Sequence, residues 1–491
     1  MESNRRDFLK GMAWMGAAAM AAGCNTGRVA TGLGAPMQAF AAPPLKKVRV
    51  GVVGLGQRGP GAVHRIAGIP GVEVCALCDI YEQRVARQVK WLKDNGKPAP
   101  KTFYGSKEEW RKMCEWDGID VVYNTTCWDM HVPVALYAME CGKHVFIEVP
   151  AAMTIEDCFA LIDASERTQR HCMQLENCCY GEAEMFALNL CRQGILGELV
   201  HGEGAYIHDL RSHCYKTQAE GSYYNSWRLR WNIAHKGNQY PTHGLGPVCQ
   251  YMNINRGDRF EYLVSLESNQ FNYESYGRLA YPAGDWRHTQ KVGMGDMNTT
   301  LVKTALGRSI LIQHDVSSPR PYSRINKITG TKGTFTGGFF GQPEAMARSE
   351  WPGRMTWEDA PGDGKTHEYF DPKKAAAMRE KYRHPLWKTA GEIAKKVGGH
   401  GGMDFLMDLR WAFCLQNGLP LDMDVYDLAA WCSICELSER SVRSHSAPQE
   451  VPDFTNGGWR TAKPLGIVDV DLQKMNFDAG KAKADKSALN V

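Results

Sequence analysis

Hydrophobic and polar positions change their period twice along this chain. Through residues 47–177, short continuous apolar runs alternate with segments whose apolar residues recur at helical spacing. A continuous β-branched run is the pattern of a strand buried on both faces, and the helical spacing is that of an amphipathic helix. KVRVGVVG (47–54) reads as the first strand and GAVHRIAGI as its helix. VEVCALCD is the next strand, followed by a helix over 81–95. GIDVVYNTT is a strand that ends at Cys127-Trp128-Asp129-Met130-His131, and VPVALYAMECG is its helix. KHVFIEVP, the helix TIEDCFALIDASERTQ and the strand HCMQLENCCYG complete the series. Repeated βαβ units of this length predict a doubly wound parallel sheet of Rossmann type.

Beyond residue 177 the period shortens to two. ELVHGEGAYIHDLR, RFEYLVSLESN, NTTLVKTALGRSILIQHDVSS and NKITGTKGTFTGG alternate apolar and polar residues between Gly and Asn turns. They predict an α+β domain with an open-faced, mostly antiparallel sheet and long loops. Residues 365–401 read as polar and irregular, 402–417 and 425–445 as helices, and the rest as a tail. A chain of 491 residues exceeds one core, and length alone suggests two or three domains. The division expected is a Rossmann domain over 46–177, an open-faced sheet domain over 178–454 with C-terminal helices packing back, and a tail over 455–491.

The first forty or so residues read as a targeting segment rather than fold. NRRDFLKGMAWMGAAAMAAGCN pairs Arg5 and Arg6 ahead of a short run of small apolar residues. That run is too short to span a bilayer, and the pattern matches a twin-arginine (Tat) export signal. Ala39-Phe40-Ala41 offers a small-x-small cleavage site, so residues 1–41 are expected to be removed by the export pathway. Ala22-Gly23-Cys24 is a weaker site of lipoprotein type, which would leave a lipid anchor on Cys24. The expected location is the periplasm.

Composition narrows the picture little. Fifty-eight basic and 54 acidic residues give +4 with no long run of one sign, which argues against a nucleic-acid partner. Sixteen cysteines show no paired C-x-x-C spacing of a metal site; most read as free core thiols, and no metal is expected. Fourteen Trp and 19 Tyr serve large cores or a sugar site equally well.

Gly54-Leu55-Gly56-Gln57-Arg58-Gly59 follows the first strand directly and opens the first helix. In that setting G-x-G-x-x-G is a dinucleotide fingerprint. The first glycine makes the turn, the second admits a pyrophosphate, and the third lets helix and strand pack. Asp79 ends the second strand, where an acidic residue holds the ribose hydroxyls of NAD; the plainer alternative is a helix cap. Arg58 opposes the choice of NAD, because an arginine there can hold the 2′-phosphate of NADP.

With G-x-G-x-R-G, the Cys78-Asp79 pair, the strand-end His131, GKHVFIE with Pro150 and the late helices, the chain resembles the glucose–fructose oxidoreductase/inositol dehydrogenase/MocA family over most of 46–454. Relatives carry E-K-P where this chain has Glu148-Val149-Pro150, and D-x-x-x-H where it has Gln239-Tyr240-Pro241-Thr242-His243. The usual lysine and aspartate are absent. With ENCCYG, HGEGAYIHDLR, WRLRW and YPTHGLGP, the chain closely resembles glycoside hydrolase family 109, NAD-dependent α-N-acetylgalactosaminidases of the same fold.

That resemblance implies a glycosidase working by transient oxidation at C3 of the sugar, elimination, addition of water and re-reduction, a recognised exception to paired-carboxylate hydrolysis. It implies NAD held by Gly54, Gly56, Gln57, Arg58, Gly59, Asp79, Trp128, Asp129, Met130, His131, Glu148, Val149 and Asn177. It implies a glycoside held by Tyr206, Arg228, Tyr240, Pro241, Thr242, His243 and Tyr322. His243 and Tyr240 are the expected catalysts, with Tyr180 a further candidate. The plainer roles are a structural histidine, core tyrosines, a surface ion pair for Arg228 and a helix cap for Glu148. Relatives also dimerise through the open sheet face, which implies a homodimer. The competing functions are an exported NAD(P)-dependent sugar dehydrogenase and a non-catalytic sugar-binding protein.

Overall fold

The computed structural model describes residues 34–337, 353–360, 362–364, 366–478 and 480. The paired arginines, Cys24 and the lysine- and alanine-rich end lie outside them.

The first domain threads β1 (Val48–Val53), α1 (Arg58–Ile66), β2 (Val72–Cys78), α2 (Glu82–Asp94), β3 (Lys101–Phe103), α3 (Glu109–Glu115), β4 (Val121–Asn124), α4 (Trp128–Glu140), β5 (His144–Ile147), α5 (Ile155–Thr168) and β6 (Cys172–Gln174). All six strands are parallel, in the order β3-β2-β1-β4-β5-β6. The order reverses between β1 and β4, so the carboxyl ends of these two strands open a crevice, the place where doubly wound sheets bind ligands. β4 and β5 are buried along their whole length, which is why they read as unbroken apolar runs.

The second domain runs through α6 (Glu182–Arg192), β7 (Leu199–Ile207), α7 (Arg211–Tyr215), α8 (Trp227–Ala234), α9 (Thr242–Met252), β8 (Phe260–Glu267), α10 (Asn272–Ala280), β9 (Asn298–Thr304), β10 (Ser309–Asp315), β11 (Lys327–Gly330), β12 (Gly333–Gly337) and β13 (Gly353–Trp357). Then come α11 (Pro372–Tyr382), α12 (Pro385–Val397), α13 (Met403–Asn417), α14 (Val425–Arg443) and β14 (Gln449–Glu450). The eight strands lie in the order β13-β12-β11-β7-β10-β9-β8-β14. Among the described residues of this sheet, only β7 and β10 pair in parallel. One face takes α9 against β7 and α14 against β8. On the other, Val264, Leu301 and Leu311 sit side by side across β8, β9 and β10.

Helix α13 returns to α1 and β1, and α14 reaches α5, β6 and β8, so one continuous core joins the two sheets. Arg65 of α1 meets Asp408 of α13 at 2.9 Å inside that junction.

Three expectations change. The stretch 365–401, expected to be irregular, carries two helices, α11 and α12, among its described residues. Asp371 caps α11 by accepting the amides of Lys373 and Lys374, and His384 caps α12 through Leu386, each with a proline at the next position. α12 buries Leu386, Trp387, Ala390, Ala394 and Val397 at helical spacing. The residues before Ala41 are part of the fold from Gly34 onward. Met37 is buried and its amide donates to the Tyr426 hydroxyl at 3.0 Å, while Gln169 donates to the Ala35 carbonyl at 2.9 Å. Nor are the described residues of the tail free, because Val470 and Met475 are buried in the main core. No disulfide links any two of the fifteen described cysteines.

Candidate active site

The crevice at the end of the parallel sheet continues into the second domain as one cavity of about 1030 Å³. At its inner wall Gly54 turns with φ +89°, and a Cβ there would stand 2.7 Å from the Thr125 carbonyl. Gly56 faces open space, with the Arg84 guanidinium its nearest neighbour at 3.7 Å. An added Cβ would fill this cradle, which suits a pyrophosphate against the first turn of α1. Gly59 does not line the cavity; it lies under Gly54, as the packing glycine of the fingerprint should.

Asp79 takes the Leu55 amide at 2.7 Å and the Tyr81 amide at 2.9 Å, with Arg84 at 3.5 Å. It faces the cavity rather than capping α2, whose N-cap is Tyr81. Arg58 turns away from this end. Its guanidinium meets Glu148 at 3.0 Å and Asp404 at 3.3 Å, so both carboxylates hold the arginine that stood for NADP. Glu148 is thereby an ion-pair partner rather than a cap. Asn177 donates to the same Asp404, and Gln57, Asp129 and Met130 line the wall between.

His131 also lines the cavity, but its ring nitrogens face the carbonyls of Pro150 at 2.8 Å and Thr126 at 3.0 Å. Burial lowers its pKa against the pull of those carbonyls. Its part is to brace the strand ends. Val149 is buried with Trp128, Tyr206 and Tyr240, and Trp128 donates to the Val149 carbonyl at 3.3 Å. The residue standing in place of lysine is an apolar wall between the two halves of the cavity.

The far half is an aromatic box. The rings of Tyr206 and Tyr240 are 4.3 Å apart, and Tyr322 stands edge-on to Tyr206 at 6.1 Å. Arg228 lies over Tyr240 at 5.0 Å, Trp128 at 5.2 Å and Tyr206 at 5.8 Å. It is 6 % exposed, its Nε has no hydrogen-bond partner, and among the described residues it has no carboxylate. It is no surface ion pair. A buried guanidinium without an anion favours a ligand that brings oxygen acceptors. Burial, with Tyr206 nearby, holds the Tyr240 hydroxyl protonated well above the usual phenol range. Tyr240 is a donor at neutral pH, not a base.

His243 is the second residue of α9 and lines the cavity beside Tyr240 and Tyr206, ring centres 5.0 and 5.5 Å away. Its Nδ1 is 2.7 Å from Glu176. Besides Gly59, three expected site residues are not brought to the cavity. Tyr180 is fully buried elsewhere, donating to Asp422 at 2.9 Å, and Pro241 and Thr242 lie behind His243 at the start of α9. Sequence reading missed His208, Trp227, His400 and Met403, which line the cavity, and the buried Glu176 and Asp404 behind it. Nothing local marks these residues, since Glu176 and His243 are 67 positions apart.

A dinucleotide crevice joined to a second, open-faced sheet domain defines the class: a two-domain protein whose first half is an NAD-binding Rossmann domain. Residues 48–175 match the oxidoreductase family with NAD-binding Rossmann fold, GFO_IDH_MocA. Among solved structures the fold is shared with levoglucosan dehydrogenase in complex with NADH and levoglucosan, at 18% identity and TM-score 0.62, over 83% of this chain and all of that one. Residues 180–461 match the glycosyl hydrolase 109 C-terminal domain. A Shewanella family 109 protein (strain ANA-3) is 44% identical over 95% of this chain and 99% of its own length. The α-N-acetylgalactosaminidase of Bacteroides fragilis is 47% identical over 86% and 95%. The chain belongs to glycosyl hydrolase family 109.

Proposed function

We propose that this protein is an NAD-dependent glycosidase that hydrolyses terminal α-N-acetylgalactosaminides. The observation that carries the reading is the continuity of the two half-sites. The wall of the dinucleotide crevice, Val149 and Trp128, is also the wall of the aromatic box holding Tyr240, Arg228 and His243. The name of the Bacteroides fragilis relative supports the sugar and linkage.

Gly54, Gly56, Gln57, Asp79, Asn177 and the Arg58–Glu148 pair would hold NAD, which when bound supplies a reversible two-electron oxidation of a sugar carbinol. The chain's own groups do the rest. Aromatic faces of Tyr206 and Tyr240 pack the sugar ring. Tyr240 donates a hydrogen bond to a sugar oxygen, and Arg228 stabilises negative charge as it develops on one. His243 takes a carbon-bound proton and returns it. No lysine is needed where another base takes the carbinol hydroxyl proton as the hydride leaves and returns it on re-reduction.

The purified protein should release p-nitrophenol from p-nitrophenyl α-N-acetylgalactosaminide with no net rise in NADH absorbance. His243→Ala should lower kcat by roughly 10³-fold. Stoichiometric NADH with each turnover would instead make it a dehydrogenase, and an unimpaired His243→Ala would remove the assigned base.

The paired arginines support Tat export to the periplasm, to be checked by cell fractionation. The apolar row Val264, Leu301 and Leu311 on the open face supports a homodimer. Leu301→Glu should then halve the mass in sedimentation.

A further inference from the structure

We propose that Glu176 is the positioning residue for His243. On this view it fixes the imidazole with its proton on Nδ1 and its lone pair on Nε2, facing the cavity, and steadies the imidazolium that forms when Nε2 takes a proton. The inference rests on the reading of His243 as the base.

Glu176 leaves the end of β6 just ahead of the short turn Asn177–Tyr180 and is fully buried. One of its oxygens, Oε1, receives both His243 Nδ1 at 2.7 Å and the Cys178 amide at 3.0 Å. The carboxylate is thus held by its own turn before it meets the ring. Burial would push this carboxyl up, but the charge and hydrogen bond of His243, with the Cys178 amide, hold it below the usual range. An ionised acceptor makes Nδ1–H the donor, and the other ring nitrogen is left with its lone pair. Among the described residues no side chain hydrogen-bonds to Nε2.

Helix α9 is built around this contact. A Cβ on Gly244 would stand 2.2 Å from the Ala205 amide nitrogen, so this glycine lets α9 lie on β7. A Cβ on Gly246 would stand 2.9 Å from Glu176 Cγ, so the second glycine leaves the space that Glu176 fills. In THGLGP the histidine supplies one partner and a glycine three positions later admits the other. The titratable groups around the ring are Glu176, Cys178, Tyr206, Tyr240 and His208. Glu176 is the one that touches a ring nitrogen. A carboxylate behind a catalytic imidazole fixes its tautomer and stabilises its charged form.

The test has two arms. In the resting protein with ¹⁵N-labelled histidine, the His243 signal, assigned by its loss in His243→Ala, should show a proton bound to Nδ1. It should shift or vanish in Glu176→Gln. A proton on Nε2, or a signal unchanged in Glu176→Gln, overturns the proposal whether or not the chain is a glycosidase. In turnover, Glu176→Gln should lower kcat by roughly 10²–10³-fold with KM within about threefold. It should also move the acid limb of the kcat profile to lower pH, with partial recovery in Glu176→Asp. A loss of kcat with an unmoved limb would make Glu176 merely structural. Should wild type release no sugar while the tautomer arm holds, the glycosidase reading fails and the positioning of His243 stands.

Discussion

At the scale of single residues, the site is organised by who holds whom. Arg58 is held by Glu148 and Asp404, Asp79 takes the Leu55 amide at the cavity wall, and Arg228 has no carboxylate partner among the described residues. This guanidinium, buried with its Nε unpartnered, is therefore the group with most to gain from substrate. Arg228→Met keeps the bulk against Trp128 and Tyr240 and removes the charge. We expect kcat/KM for the aryl glycoside to fall by at least about 10²-fold, with the amount of NAD bound per chain unchanged. Loss of NAD with the charge would move Arg228 from the substrate half to the cofactor half. Tyr240→Phe should cost less than His243→Ala, because a phenol held protonated by burial contributes one hydrogen bond and no proton acceptance.

At the scale of elements, strands and fingerprint were legible because their signals are local. β1, the glycine turn and Asp79 fall within about thirty consecutive residues, and the buried runs at β4 and β5 admit one reading. Elements whose reasons are tertiary were hidden. Helix α9 holds Gly244, Gly246 and Pro247, poor helix formers by themselves, tolerated because small residues let it approach β7 and Glu176. α11 and α12 did leave a mark, the caps Asp371-Pro372 and His384-Pro385, obscured by their lysines. Within the site, His243, Tyr240 and Arg228 were legible by resemblance, whereas Tyr180 carries the right chemistry but faces Asp422. The segment from Gly34 to Leu45 belongs here too. It buries Met37, and Leu45 donates to the Leu415 carbonyl at 2.9 Å. A protein starting at Ala42 should melt a few degrees below one starting at Gly34, since losing one buried methionine costs about 1.5–3 kcal/mol. Equal melting temperatures would show that the segment contributes nothing.

At the scale of the whole molecule, the continuous core makes folding respond to pH as one unit. His144, His171 and His314 are driven to about 3 and His384 to about 4, in each case chiefly by burial. An unfolded histidine titrates near 6.5. As pH falls below that value the unfolded chain takes up protons that the folded one refuses. Stability therefore falls between about pH 6.5 and the folded values, by about 1.4 kcal/mol per pH unit for each histidine fully engaged. Calorimetry should show a melting temperature nearly level above pH 7 and falling steeply from pH 6 to 5. A level melting temperature down to pH 5 would mean that these rings are protonated in the folded protein.

A second apolar cluster, around Val149, joins the dinucleotide crevice to the aromatic box, which makes one statement testable ahead of all others: sugar cleavage here requires a dinucleotide that is not consumed. The measurement is hydrolysis of p-nitrophenyl α-N-acetylgalactosaminide by protein stripped of nucleotide and then reconstituted. Stripped protein should be inactive, and one equivalent of NAD should restore turnover for many cycles. Full activity in the stripped protein would contradict the account.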